Sequence, residues 1–153
     1  MSLRSKTAPP PACDAGPMNA DLAVMRAFFA RAPFMADLGI EPFECEPGRV
    51  CTHMAVQPRH LQHSGVVHAG VLGTMADHTM GAAAQAMTDR LVLTAEFKLS
   101  LLRGARGQRL ECHGSVLKPG RLLMFTEAEV FVVDGTGRTL VAKASATMAV
   151  TTA

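Results

Sequence analysis

The segment from Gln62 to Gln85, QHSGVVHAGVLGTMADHTMGAAAQ, holds the residues best placed to do chemistry. A polar loop ending at His68 leads into a run of small and apolar residues at helical spacing, interrupted by one carboxylate, Asp77. A helix apolar on all sides is normally buried, and a lone buried carboxylate is costly unless hydrogen-bonded or functional. The chemistry on offer is that of a carboxylate: taking a proton from water, or attacking a carbonyl directly. No G-x-S-x-G elbow is present, which argues against a serine hydrolase. His53, His60, His78 and His113 show no metal-ligand spacing with Cys or carboxylates, so no metal is expected. On the residues alone, a structural acid hydrogen-bonded to a neighbouring strand is the simpler account of Asp77.

The elements around this segment follow from periodicity and punctuation. Residues 1–17 include Pro9, Pro10 and Pro11 and little that packs, and read as a mobile tail before a single domain over 18–153. Asn19 is placed to cap a helix through Arg31, which Pro33 ends; a turn follows, with Gly39 suited to a C-terminal cap. Residues 40–45 and 49–56 read as a hairpin about Glu46-Pro47-Gly48, with Val50, Met54 and Val56 on one face. After the long helix, extended runs at 91–102, 109–117, 122–133 and 139–150 read as four strands in a meander. The result is α+β: a curved antiparallel sheet of about six strands around one central helix.

The chain has 153 residues, enough for one domain with a sizeable core. It is 48% hydrophobic and 18% charged, a balance suited to self-association. A net charge of +2 and the absence of Trp and Tyr give no reason to invoke nucleic acid. Cys13, Cys45, Cys51 and Cys112 have no C-x-x-C pairing and read as reduced packing residues of a cytoplasmic protein. The apolar run after His68 carries Asp77 and His78 and reads as a buried helix, with no membrane contact expected.

Five phrases carry a family resemblance: PFMADLGI (33–40), PGRV (47–50), GVVHAGVLGTMAD (65–77), LTAEFKLSLLRGAR (93–106) and DGTGRTLVAKASATMAV (134–150). From about Ala32 onward the chain resembles the PaaI-like acyl-CoA thioesterases of hotdog fold. The resemblance implies a homodimer of joined sheets, often paired again into a tetramer, with each active site at the dimer interface. It implies hydrolysis of acyl-CoA to CoA and a carboxylic acid, with CoA as part of the substrate and no separate cofactor.

By the same resemblance Asp77 is the general base or nucleophile, and the Ala69 backbone amide is the oxyanion donor. Relatives most often carry glycine where this chain has Ala69; a backbone donor survives that change if φ is negative. Gln62 would contact the thioester or water, Thr94 would orient the water, and His68 would cap or brace the helix start. Gln62, His68 and Ala69 of one chain would face Asp77 and Thr94 of the other. Arg103, Arg106, Lys118, Gly120 and Arg121 would touch CoA, although basic residues in turns are solvated surface by default. Two rival readings remain: a hotdog hydratase or dehydratase, which would want a His paired with the acid, and a non-catalytic acyl-CoA-binding protein. The acyl group stays open.

Overall fold

The computed structural model describes residues 20–151, so the expected tail and Asn19 lie outside the described residues. Helix α1 spans Leu22–Ala30, and its cap is Asp21, whose carboxylate accepts from the Ala23 amide at 2.6 Å. The cap thus falls two residues after the expected Asn19. Pro33 does not lead into a turn. It opens a second short helix, α2 (Pro33–Leu38), because its fixed φ and missing N–H suit a first helical position. Gly39, at φ 71°, closes α2 as expected.

Strands β1 (Glu41–Glu46) and β2 (Arg49–Ala55) form the hairpin. A single 3-10 turn (Pro58–His60) and a loop lead to helix α3 (Ala69–Gln85). Strands β3 (Val92–Leu101), β4 (Arg109–Lys118), β5 (Leu123–Asp134) and β6 (Gly137–Val150) complete an antiparallel sheet. Its order is β1-β2-β4-β5-β6-β3. Only β4, β5 and β6 form a meander; β3 crosses to the far edge and pairs with β6. The four-strand meander expectation fails here because period-2 alternation marks strands but not their neighbours.

The concave face of the sheet packs on α3. Val50 and Met54 of β2 are buried with Thr52 between them, while Val56 lies past the strand end and is half-buried. In β5, Met124, Thr126, Ala128, Val130 and Val132 alternate inward against Leu72, Met75 and Met80 of the helix. Each large side chain so covered contributes roughly 1.5–3 kcal/mol. The helix and sheet come closest at Gly114, where a Cβ would stand 2.9 Å from the Thr79 carbonyl oxygen. Beside that contact the buried Thr79 hydroxyl donates to the Met75 carbonyl at 2.6 Å and accepts from Thr52 at 2.7 Å.

The sheet covers one side of α3 only. Gly70, Thr74, Asp77 and Gly81, at helical spacing, make an open stripe on the other side. Asp77 is therefore half-buried in the single chain, not sunk in its interior as the all-apolar pattern suggested. Alongside the stripe runs β3, with one strand neighbour and with Phe97 (43% exposed) and Leu101 (52%) uncovered.

Candidate active site

Asp77 is held by the neighbouring strand. The Thr94 hydroxyl donates to its Oδ1 at 2.8 Å, with Met148 Sδ 3.5 Å from the same hydroxyl oxygen. Thr94 faces the helix side because it pairs with the buried Met148; a bulge follows at once and leaves Ala95 without a partner. That extra residue turns Phe97 and Leu99 to the helix side as well, opposite the buried Ala146 and half-open beside Ala144. Asp77 thus opens onto a recess of about 440 Å3 with Gly70, Gly73 and Thr74 as its floor. Phe34, Met35, Phe97 and Leu99 form apolar walls.

The start of α3 is built differently. His68 is its N-cap, and the imidazole Nδ1 accepts from the Gly70 amide at 2.9 Å. A Cβ on residue 70 would stand 3.0 Å from that nitrogen, so glycine lets the ring sit over the turn. The His68 carbonyl accepts from the Val71 amide at 2.9 Å, and the His68 amide donates to the His60 carbonyl at 2.9 Å. The Ala69 amide is left over: it donates to no acceptor among the described residues. It lies at the positive end of a 17-residue helix, where anions are favoured. No residue other than glycine has positive φ among those described, so alanine is unstrained at 69.

A second recess of about 560 Å3 opens at this end, bordered by Gln62, His68, Ala69 and Arg103. Gln62 begins a tight turn: its amide donates to the Val66 carbonyl at 2.8 Å, and its side-chain Nε2 donates to Ser64 Oγ at 2.6 Å. The two recesses share Ala69. Eight residues separate Ala69 from Asp77, about 12 Å along the helix axis, so within one chain they do not address the same reacting carbon.

The basic residues fall into two groups. Arg103 borders the recess at the helix start, and Arg106 binds the Ser64 and Gly65 carbonyls at 3.1 and 3.3 Å. Gly120 and Arg121, just past Lys118 at the end of β4, lie beside Met87 and Arg90 at the opposite end of α3. One chain does not bring these groups together.

Three residues to which the sequence reading gave no structural role hold this frame. Gln85, buried at the end of α3, donates to the carbonyls of Thr88 (3.1 Å) and Arg90 (2.9 Å) and accepts from the Val92 amide (3.1 Å), fixing where β3 begins. Arg90 donates to the carbonyls of Thr151 (2.6 Å) and Arg121 (3.0 Å), tying the sheet's end to the β4–β5 turn. His78, next to Asp77, packs edge-on against Phe29 at 4.5 Å and parallel to Phe28 at 6.0 Å, docking α1 on α3; burial pushes its pKa down. A polar residue closing an apolar helix was the available signal for Gln85.

Among the described residues no cluster of His, Cys, Asp or Glu could hold a metal ion. Cys45, Cys51 and Cys112 are free thiols, and Cys13 lies outside the described residues. Burial pushes Cys51 up to about 11 and Cys112 up to about 12, so neither serves as a thiolate nucleophile near neutral pH. No helix among the described residues is long and apolar enough to cross a membrane.

Comparison with known proteins agrees with this architecture. Residues 64–139 match the family described as the thioesterase superfamily. A Pseudomonas aeruginosa protein provisionally named an esterase is 30% identical over 76% of this chain and 87% of its own length. A Caenorhabditis elegans protein, also provisionally named an esterase, is 32% identical over 59% of this chain; the match spans about half, 54%, of that relative. The crystal structure of a thioesterase family protein from Silicibacter pomeroyi superposes with a TM-score of 0.79 at 35% identity, covering 82% of this chain and 93% of the other. The Escherichia coli PaaI protein of the phenylacetic acid degradation operon shares the fold at TM-score 0.72 and 17% identity, over 86% of this chain and 97% of its own. The chain belongs to the thioesterase superfamily and has the hotdog fold.

Proposed function

We propose that this protein hydrolyses acyl-CoA thioesters to CoA and a carboxylic acid, without a cofactor and in the cytoplasm. The observation that carries the proposal is the placement of Asp77: a carboxylate held by Thr94 at the floor of an apolar recess, on the same helix as the unpaired Ala69 amide. The half-sites are too far apart in one chain, so the working site forms in a homodimer, itself apt to pair again. The β3 edge supports this reading, because its exposed Phe97 and Leu101 and its unpaired backbone groups suit a second copy. Gln62, His68 and Ala69 of one subunit then face Asp77 and Thr94 of the other.

The chemistry follows from the groups present. Asp77 takes a proton from water, oriented by Thr94, as the water oxygen attacks the thioester carbon. The carbonyl oxygen gains the charge and is received by the Ala69 amide, with the Gln62 side-chain amide beside it. His68 contributes by holding the turn. Its ring accepts from Gly70 and leaves the Ala69 amide free. As the tetrahedral adduct collapses, the C–S bond breaks and the thiol sulfur recovers the proton from Asp77. Direct attack by Asp77 gives the same products through an anhydride that water then opens. Arg103 at one end, with Lys118, Gly120 and Arg121 at the other, supplies the charge and amides for the nucleotide phosphates. A hydratase needs a histidine working with the acid, whereas the His68 ring is spent on Gly70 and His78 is packed between phenylalanines.

A panel of acyl-CoAs with colorimetric thiol detection tests the proposal. Stoichiometric thiol release is expected, reduced at least ~100-fold in Asp77→Asn. Absence of thiol release with every acyl group, or more than about a tenth of wild-type kcat left in a folded Asp77→Asn protein, would overturn it.

A further inference from the structure

Arg106 spends two arms of its guanidinium on the chain's own backbone. Nη1 donates to the Gly65 carbonyl at 3.3 Å and Nη2 to the Ser64 carbonyl at 3.1 Å. Both carbonyls belong to the turn that starts at Gln62, where the Gly65 amide returns to the Gln62 carbonyl at 2.9 Å. Gly65 sits at φ +74°, and a Cβ there would stand 3.4 Å from Arg106 Nη1, so the turn is shaped around the guanidinium. Ser64, whose carbonyl Arg106 holds, is also the residue whose hydroxyl receives the Gln62 side-chain amide at 2.6 Å. The turn is otherwise held by the Gly65–Gln62 bond across it and, at its base, by the Leu61–Val67 bridge and the Gln62–Val66 bond. Its tip, residues 63–65, is exposed.

We infer that Arg106 is a positioning residue for Gln62 and not a ligand of the CoA phosphates; the inference rests on the thioesterase reading above. A planar fork can span two successive carbonyls, which a lysine ammonium on its flexible stem cannot reproduce. With the fork removed the Ser64 and Gly65 carbonyls lose their donor, Ser64 shifts, and the Gln62 amide loses its aim at the developing oxyanion. The ground state is bound as before, so the loss appears in kcat. A phosphate ligand behaves oppositely: its removal raises KM for CoA esters and does nothing to a substrate lacking phosphates.

The test compares acyl-CoA with the same acyl group on pantetheine, which carries the thioester arm without nucleotide or phosphate. Arg106→Ala is expected to lower kcat on both esters by the same factor, roughly 10- to 100-fold. In a Gln62→Ala background the second substitution is expected to change kcat by less than about twofold, since the group it aims is gone. Arg106→Lys, which keeps the charge and guards against a variant that does not fold, should lose as much as Arg106→Ala. A loss confined to acyl-CoA, full activity in Arg106→Lys, or an undiminished further loss in the Gln62→Ala background each overturns the assignment. Failure of the thioesterase reading is a separate result: wild-type protein that releases thiol from neither ester.

Discussion

Thr94 and Asp77 meet at 2.8 Å across the gap between β3 and α3, hydroxyl donating to carboxylate. The bond joins the edge of the sheet to the open stripe of the helix, so the acid's direction depends on a strand that has one neighbour. Thr94→Ala removes the donor and is expected to lower kcat about tenfold, the worth of one hydrogen bond to a charged group. Thr94→Ser keeps the hydroxyl and should stay within about threefold of wild type. Steady-state kinetics on one acyl-CoA decides this; equal losses in both variants would show that the methyl group, not the hydroxyl, matters.

Two impaired subunits should make an intact site. If Gln62 and Asp77 act from different chains, a Gln62→Ala subunit paired with an Asp77→Ala subunit rebuilds one intact site per heterodimer. Unfolding and refolding an equal mixture is expected to restore about a quarter of wild-type activity, from half the dimers with one site each. Recovery no greater than the two variants give separately would mean that both residues serve the same chain's site.

Gly114→Ala places a methyl against the backbone of α3, 2.9 Å from the Thr79 carbonyl oxygen. Backbone on both sides of the contact leaves nothing flexible to yield. The variant should be destabilised by roughly 1–3 kcal/mol, visible as a lower urea midpoint. A midpoint equal to wild type would mean that the helix can lift from the sheet without penalty.

Acid should weaken the fold before the carboxylates are protonated. Burial lowers the pKa of His53, His60 and His78 in the folded protein. The unfolded chain therefore takes up protons first, near the ordinary histidine value of about 6.5. Stability is full above that value and falls as pH drops from it toward the lowered folded values. Urea midpoints measured between pH 8 and pH 5 should decline on the acid side, and His78→Phe should flatten part of the decline. An unchanged midpoint over that range would contradict the burial of these rings.

The sequence disclosed the elements better than their arrangement. The strands and α3 lie within a few residues of their expected ends because Gly, Pro and Asp punctuate them sharply. The position of β3 at the far edge was not legible, since strand order is set by long-range pairing with β6 that leaves no local trace. Asp77 stood out by its solitude, and its half-open setting was hidden because glycine and alanine read as apolar whether they face a sheet or a gap. The partners of Arg106 were hidden for a related reason: they are carbonyls 41 and 42 residues away, and a carbonyl has no letter in the sequence.

Strand β3 also carries Glu96 and Lys98, whose β6 partners Thr147 and Ser145 place both on the face turned away from α3. In an antiparallel copy of itself centred on Phe97, each Glu96 stands opposite the other strand's Lys98. Sliding the copies by two residues in one direction sets glutamate against glutamate, and in the other lysine against lysine, both unfavourable. In the proposed dimer the edge strand would thus bear an electrostatic key favouring one alignment of the two sheets, and with it one spacing between the Ala69 amide of one copy and Asp77 of the other.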